Sequence, residues 1–374
     1  MSLSSLHSQN PSQAAKRGAR WPQSLPEPEA LGFGRYVAPF IVVAEHDEHG
    51  GWSAPQVRPR EAVQLDVASG ALQYGLSVFE GLKAFRDAAD ELHLFRPRDH
   101  IRRLQRSAER LSLPAISEEL LMKMALRAVE VHRDWVPPHG RGSLYLRPTL
   151  YACEESLGLR RAARHALSIV ATPCSSPDTS VPKRLWAERE LVRAAIGGLG
   201  AAKTAANYAA SLYGAQRARL RGCDDALWLD AAEHQYLGEA GTMNVFVALP
   251  GRVLTPPLDG TILAGITRAS IMQLLGEFGV RFEETAISLD DLQRWQRSGG
   301  LREIFGVGTA ARVAPVSEIV WENTGVRPHG GDLAARLSQR LAELQDGAGE
   351  DPYGWRVAVA PREATESALL AEAV

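Results

Sequence analysis

Few of the features that usually announce a function are present in this chain. Its 374 residues include three cysteines, Cys153, Cys174 and Cys223, far apart and in no CxxC pair. That spacing excludes a disulfide framework and a structural zinc site, and it suits a reduced, cytosolic protein. No run of 18 apolar residues occurs, so no segment reads as a membrane span. Lys+Arg 42 against Asp+Glu 44 leaves a net charge of -2, which gives neither nucleic acid nor an anionic membrane a field to follow. The opening MSLSSLHSQNPSQAAKRGAR lacks the apolar centre of a secretory signal and reads as a disordered tail. There is no internal repeat, and no Gly-x-Gly-x-x-Gly follows a strand, which disfavours a dinucleotide-binding fold. What remains is an ordinary globular composition, 45% hydrophobic and 23% charged, at a length that favours two domains.

Strands and helices mix without strict alternation. Residues 36–45 (YVAPFIVVAE) read as a strand, followed by the turn HDEHGGW. His46 and His49 in that turn read as solvated loop residues rather than metal ligands, and no metal site is expected. Residues 91–95 form a short strand. Residues 97–113 predict a helix, with Asp99 as N-cap and Ile101, Leu104, Ala108 and Leu111 at helical spacing; 118–135 predict a second. Residues 143–150 and 165–172 read as strands. The Pro- and Ser-rich stretch 173–182 (PCSSPDTSVP) is the natural linker between domains. Beyond it come a helix over 208–221, a strand over 226–229, and a helix over 267–278 with Thr267 near its N-cap. A strand–glycine turn–strand over 303–313 and a last helix over 332–344 follow. The expected organisation is a tail (1–28), a small N-terminal domain (29–172), a linker (173–185), a large domain (186–360) and a second tail (361–374).

The stretch 195–247 carries the chemistry. Lys203 follows a glycine-rich turn (Gly197, Gly198, Gly200) and is the only basic residue between Arg193 and Arg217. Its Ala- and Gly-rich surroundings offer it no solvated face, and partial burial would free its amine by lowering its pKa. A phosphate loop is the rival reading, but Ala202 stands where that motif needs glycine. Tyr208 supplies a phenol nearby, and Glu239 stands among small residues just before the strand-like run 243–247. A covalent lysine, a phenol and a carboxylate in an apolar setting are the parts a pyridoxal-phosphate enzyme must assemble. Arg103 lies in a run of arginines (Arg96, Arg98, Arg102, Arg103, Arg106) that could be a solvated basic face or could aim one fork at a phosphate. Gly265-Ile266-Thr267 at a helix start and Gly308-Thr309-Ala310 in a glycine turn offer backbone N–H groups and hydroxyls to the same phosphate.

These motifs resemble the class IV, fold type IV pyridoxal-phosphate aminotransferases, and most closely the branched-chain amino-acid aminotransferases. The resemblance runs over 32–357 and is carried by YGLSVFEGLKAFR, LFRPRDHIRRLQRSAERLSLP, SLYLRPTL, GGLGAAKTAANYAASL, WLDAAEHQYLGEAGTMNVF, PPLDGTILAGITRASI, EIFGVGTAARVAPV and DPYGW. It implies a two-domain α/β fold of the α+β type, with the cofactor, pyridoxal 5′-phosphate, in the cleft between a smaller N-terminal and a larger C-terminal domain. It implies that Lys203 is the Schiff-base lysine and proton shuttle, that Glu239 faces the pyridine nitrogen, and that Tyr208 faces the phenolic oxygen. Arg103, Arg193, Ile266, Thr267 and Thr309 would form the phosphate cup. Tyr145, supported by Arg147, would hold the substrate carboxylate with Ala310 and Ala311. Phe33, Tyr74, Phe79 and Thr242 would line the side-chain pocket, an apolar lining suited to an aliphatic substrate. The implied protein is a cytoplasmic homodimer that binds an amino acid and a 2-oxo acid.

Three departures from the family pattern stand out. Ala205 and Ala206 replace a glycine pair and would add methyls beside the cofactor. Residues 37–41 (VAPFI) replace an acid–His–Met pattern by the pocket or its lid. TAARVAPV lacks the cysteine pair of some animal members, so no thiol switch is expected. The reaction implied is transfer of the amino group of L-leucine, L-isoleucine or L-valine, or a close hydrophobic analogue, to 2-oxoglutarate in two half-reactions. A D-amino-acid transaminase or an aminodeoxychorismate lyase would use the same scaffold. A cofactor-free scaffold protein is a third reading, opposed by the joint presence of lysine, tyrosine, glutamate and arginine.

Overall fold

The structure is a computed structural model that describes residues 25–360. Its first sheet is built from β1 (Phe40–Asp47), β2 (Gly51–Trp52), β3 (Gln56–Pro59), β4 (Ser77–Phe79), β5 (Leu82–Arg86), β6 (Leu92–Phe95), β7 (Gly142–Ala152) and β8 (Arg164–Ser175). The second holds β9 (Lys183–Glu188), β10 (Asp225–Leu229), β11 (Leu237–Ala240), β12 (Met243–Leu249), β13 (Arg252–Thr255), β14 (Arg281–Glu284), β15 (Glu303–Gly308), β16 (Arg312–Trp321) and β17 (Thr324–Val326). The last strand, β18 (Arg356–Ala358), returns to the first sheet and pairs with β6.

The first sheet runs β18-β6-β5-β7-β8-β1-β2, with β3 on β1 and β4 on β7. Its backbone is the long β7–β8 hairpin, whose alternating residues point to a core on one side. Against that side pack α2 (Pro97–Arg110) and α3 (Glu118–Val131); the short α1 (Gly70–Tyr74) lies before β4. The second sheet runs β11-β10-β9-β16-β15-β12-β13-β14, and β11 also pairs with β12, so six of its strands close into a ring without free edges. Leu185, Leu227, Val245, Val247, Ile304 and Ile319 fill it. Outside lie α4 (Ala205–Leu220), α5 (Ile266–Glu277), α6 (Leu289–Arg297) and α7 (Leu333–Gln345). A third apolar cluster joins the halves: Phe85 and Phe95 of the first sheet pack with the stacked pair Phe246 and Phe305 and with Leu337 and Leu341 of α7.

The expected α/β architecture of two sheet-based halves is present, with corrected boundaries. The linker shortens, because 173–175 end β8 and 183–185 begin β9. The large domain does not keep 186–360 to itself, since β18 completes the first sheet by pairing Val357 with Leu94. The first strand starts at Phe40, after Pro39, and His46 belongs to β1, half-buried against Trp52 and His165, rather than to a solvated turn. Asp99 is not an N-cap: Arg96 holds that position in a left-handed conformation, and Asp99 pairs with it at 2.8 Å. Gly265 is the N-cap of α5, with Thr267 in the first turn. The expected helix over 118–135 breaks into α3 and a separate 3-10 turn, Arg133–Trp135. Residues 1–24 and 361–374, where the tails are expected, lie outside the described residues, while Pro28–Ala30 already forms a 3-10 turn.

Candidate active site

Lys203 sits at the last position before the cap of α4, and its backbone is fixed from three sides. Its N–H donates to Ser107 Oγ of α2 at 2.9 Å, and its carbonyl accepts from the Phe79 N–H at the end of β4. The Asn207 side chain donates to the Ala202 carbonyl behind it. Gly200, earlier in the turn, can only be glycine: a Cβ there would lie 2.4 Å from the Thr261 carbonyl oxygen. Thr204 then opens the helix, its side chain accepting from the Asn207 N–H. This placement aims the Lys203 amine inward, where it donates to the Tyr208 hydroxyl at 2.5 Å and lies 4.9 Å from the centre of the Phe79 ring. Burial, reinforced by the Arg103 guanidinium, pulls the amine down to about 7. Burial, with the Glu239 charge, pushes the Tyr208 phenol up to about 12.

Glu239 is buried on β11 opposite Asn244 of β12. The Asn244 amide donates to its Oε1 at 3.0 Å and to the Leu263 carbonyl, and Arg193 lies 2.6 Å from its Oε2. Burial raises this carboxyl, against the pull of Arg193. The sequence resemblance assigns Arg193 to the phosphate cup; the structure puts it on Glu239 and the Gly200 and Thr261 carbonyls instead, because the buried carboxylate is the nearest charge that matches it.

The far end of the cleft is the N-terminus of α5. Gly265 offers no side-chain cap, so the first N–H groups, at Ile266 and Thr267, have no helical partner. Thr309, from the turn between β15 and β16, lines the same end. Arg103 also lines it, buried rather than solvated. Its fork is held by a residue that sequence reasoning misses: Glu80 accepts from Arg103 Nε at 2.5 Å and Nη2 at 2.9 Å, contacts His100 Nδ1 at 2.8 Å, and accepts the Gly81 N–H. Burial alone would raise the Glu80 carboxyl, but Arg103 and His100 together hold it well below the usual carboxylate range. A lone acid among apolar strand residues in SVFEGLKAF was the available signal.

The third wall is aromatic. Arg147 donates to the Tyr145 hydroxyl at 3.0 Å and lies 4.7 Å from the centre of the Phe79 ring, and Phe33 meets Tyr145 edge-on at 4.9 Å. Gly81 makes room for Tyr145, since a Cβ there would lie 1.8 Å from its hydroxyl. Arg147 Nε is buried and has no hydrogen-bond partner among the described residues. Thr242 and Ala310 complete the lining of a cleft of about 200 Å³. Two expected lining residues do not join it. Tyr74, at the end of α1, is exposed and donates to the Leu157 carbonyl, and Ala311 packs on the barrel core. Nor do the first two departures line the cleft: Ala205 and Ala206 lie in the first turn of α4, and Ala38 and Ile41 are buried in the first half.

A buried amine at one wall, a helix N-terminus with hydroxyls at the far end and a buried carboxylate in the same cleft fit an aldehyde, a phosphate monoester and a ring nitrogen respectively. Among the described residues no cluster could hold a metal ion. Comparison with known proteins points the same way. The family model for amino-transferase class IV matches residues 77–319. Branched-chain-amino-acid transaminase 1 of Bacillus subtilis is 42% identical over 340 residues, covering 89% of this chain and 96% of that one. The branched-chain-amino-acid aminotransferase of Mycolicibacterium smegmatis is 38% identical over 334 residues, covering 87% and 91%. Among solved structures, the branched-chain aminotransferase of Thermoproteus uzoniensis with norvaline superposes with a TM-score of 0.70 at 27% identity, over 86% of this chain and 100% of that one. The T.th. branched-chain amino acid aminotransferase complexed with N-(5′-phosphopyridoxyl)-L-glutamate gives 0.69 at 26%, over 85% and 98%.

Proposed function

The chain belongs to the class IV aminotransferases, and from that premise we propose that it is a branched-chain amino-acid transaminase, moving the amino group of L-leucine, L-isoleucine or L-valine to 2-oxoglutarate with pyridoxal 5′-phosphate as cofactor. The observation that carries the reading is the Lys203 amine, pulled toward neutrality and held against Tyr208 in the same cleft as the α5 N-terminus and Glu239. The bound cofactor supplies a covalent electrophile and an electron sink. The protein supplies the rest. Lys203 is the base and acid that takes the substrate Cα proton and returns it on the other side of the exchange. Tyr208 and Phe79 fix its amine in place. Glu239, tethered by Asn244 and Arg193, keeps a proton on the ring nitrogen. Ile266, Thr267 and Thr309 hold the phosphate, with Arg103 kept in register by Glu80.

Substrate selection follows from the aromatic wall. Tyr145 and the turn at Ala310 receive the α-carboxylate, and the unpartnered Arg147 N–H suits the second carboxylate of glutamate. Phe33, Phe79 and Thr242 leave an uncharged space for an aliphatic side chain. Tyr74 lies with Val67, Leu72, Leu157 and Leu159 among the exposed apolar residues, an arrangement that suits a homodimer in which this surface is covered. Three free thiols, and no helix among the described residues long and apolar enough to cross a membrane, suit the cytoplasm. The deciding experiment is the visible spectrum of the cofactor-loaded protein. The yellow colour is expected to bleach with L-leucine and return with 2-oxoglutarate. Bleaching by D-leucine alone would move the substrate class, and failure to bind pyridoxal phosphate would remove the reading.

A further inference from the structure

Behind the phosphate end of the cleft lies a second cavity for which the reaction has no use. Lys83, Phe95, His100 and Gln345 form one side of it. Ile266, Thr267 and Thr309, which also end the main cleft, form the other. It leaves about 10 Å³ of room for a water-sized sphere, on the order of what one water needs. Lys83 and His100 are each more than nine-tenths buried, at 5% and 3% exposure. Among the described residues the Lys83 ammonium makes no hydrogen bond and no ion pair. A buried charge left in that state is costly unless something nearby is arranged to use it.

The charges around the cup show what that use is. Arg103 lines the phosphate end, but Glu80 takes two of its donors, so the pair presents little net charge. A phosphate monoester dianion seated there would otherwise meet the α5 N-terminus, neutral hydroxyls and, beyond Ile266 and Ser270, Arg96, whose charge Asp99 offsets at 2.8 Å. Arg312 is tied to the Gln345 side chain at 3.1 Å, while Lys83 lines the cavity behind this wall. Its surroundings leave it free for the role. Tyr145 lies directly across from it on β7, and His93 shares its face on β6. Cys174 of β8, Arg312 of β16 and Asp346 beyond α7 act on it only through space. His100 has its Nδ1 on the ionised Glu80, which fixes the proton there and turns Nε2 into an acceptor on the cavity side.

We propose that Lys83 is the cation that balances the second charge of the cofactor phosphate, acting through the Thr267–Thr309 wall and one water shared with His100. It is a positioning residue: it touches neither substrate nor cofactor. The inference rests on the pyridoxal-phosphate reading above. Burial, with Arg312, pulls the Lys83 ammonium down to about 8, against Cys174 and Asp346, so a dianion arriving behind the wall draws a proton onto it.

The test uses the apo-protein at pH 8.5, with inorganic phosphate and pyridoxal phosphate as separate probes. Calorimetry of phosphate binding in two buffers of different ionisation enthalpy is expected to show proton uptake by the wild type. Lys83→Met, which keeps the stem and the volume, is expected to lose that uptake. It should bind both probes about tenfold more weakly, the scale of one screened charge pair, without a fall in Tm. Equal affinity and equal uptake in K83M overturn the proposal, as does a lower Tm with unchanged affinity, which makes Lys83 structural. Absence of proton uptake in the wild type overturns it without any variant. A folded wild type that never turns yellow with pyridoxal phosphate defeats the cofactor reading, an outcome visible apart from these.

Discussion

At Lys203 the amine is poised because burial and the Arg103 guanidinium both disfavour its charge, and the neutral amine is the form that attacks an aldehyde. Capture of pyridoxal phosphate by the apo-protein is therefore expected to speed up as pH rises through about 7 and then level off, as stopped-flow absorbance can follow. Lys203→Ala is expected to lower kcat by about a thousandfold or more, the range of a lost general base, and Glu239→Gln to retain the cofactor while slowing turnover. Gly81 makes a sharper case. Since a Cβ at that position would meet the Tyr145 hydroxyl at 1.8 Å, Gly81→Ala is expected to displace Tyr145. Steady-state kinetics should then show KM for the amino acid rising about tenfold, the loss of one charge-assisted contact, with the cofactor still bound.

Helix ends hold this site together. α4 begins at the residue after the Thr204 cap, so the cap that starts the helix also ends the loop that aims Lys203. Thr204→Ala removes the side-chain acceptor for Asn207 and is expected to cost about 1 kcal/mol, seen as a Tm lower by about 2 °C. Slower cofactor capture should accompany it, because the helix start next to the lysine loosens and with it Asn207, which holds the Ala202 carbonyl. α5 is the reverse case. Its N-terminus has no side-chain cap, and its open N–H groups are what an anion would satisfy. α7, by contrast, is capped from outside: Glu303 accepts the Leu333 and Ala334 N–H groups, which leaves that end with nothing to offer an anion.

Two of the buried histidines make the fold sensitive to acid. His165 of β8 lies across from His46 of β1, and neither ring nitrogen of His165 has a hydrogen-bond partner among the described residues. His132, after α3, donates from Nδ1 to the Ala128 carbonyl. Burial pulls both imidazoles down to about 4 from the ordinary 6.5, with His46 and Arg161 adding to the effect at His165. The unfolded chain therefore binds more protons than the folded one between those values. The contribution is complete above about pH 6.5 and is lost as pH falls toward 4. Thermal melts from pH 7.5 to 4.5 are expected to show a falling Tm. His165→Phe, which removes one of these groups, is expected to fall less steeply over the same range.

Much of this protein could be read along the chain. The helices over 97–110 and 266–277, the β15–turn–β16 unit and the special setting of Lys203 and Glu239 all follow from spacing, punctuation and local composition, which act over a few residues. Charge pairing could not be read that way. Glu80 meets Arg103 and His100 only because β4 and α2 pack together, and Arg193 turns to Glu239 because the barrel brings β11 beside it. The return of β18 to β6 and the exposure of Tyr74 were equally hidden. Residue type and local order establish which groups are available for chemistry. Which of them meet, and in what state of charge, depends on burial and on neighbours drawn from distant parts of the chain, and the folded packing alone supplies those.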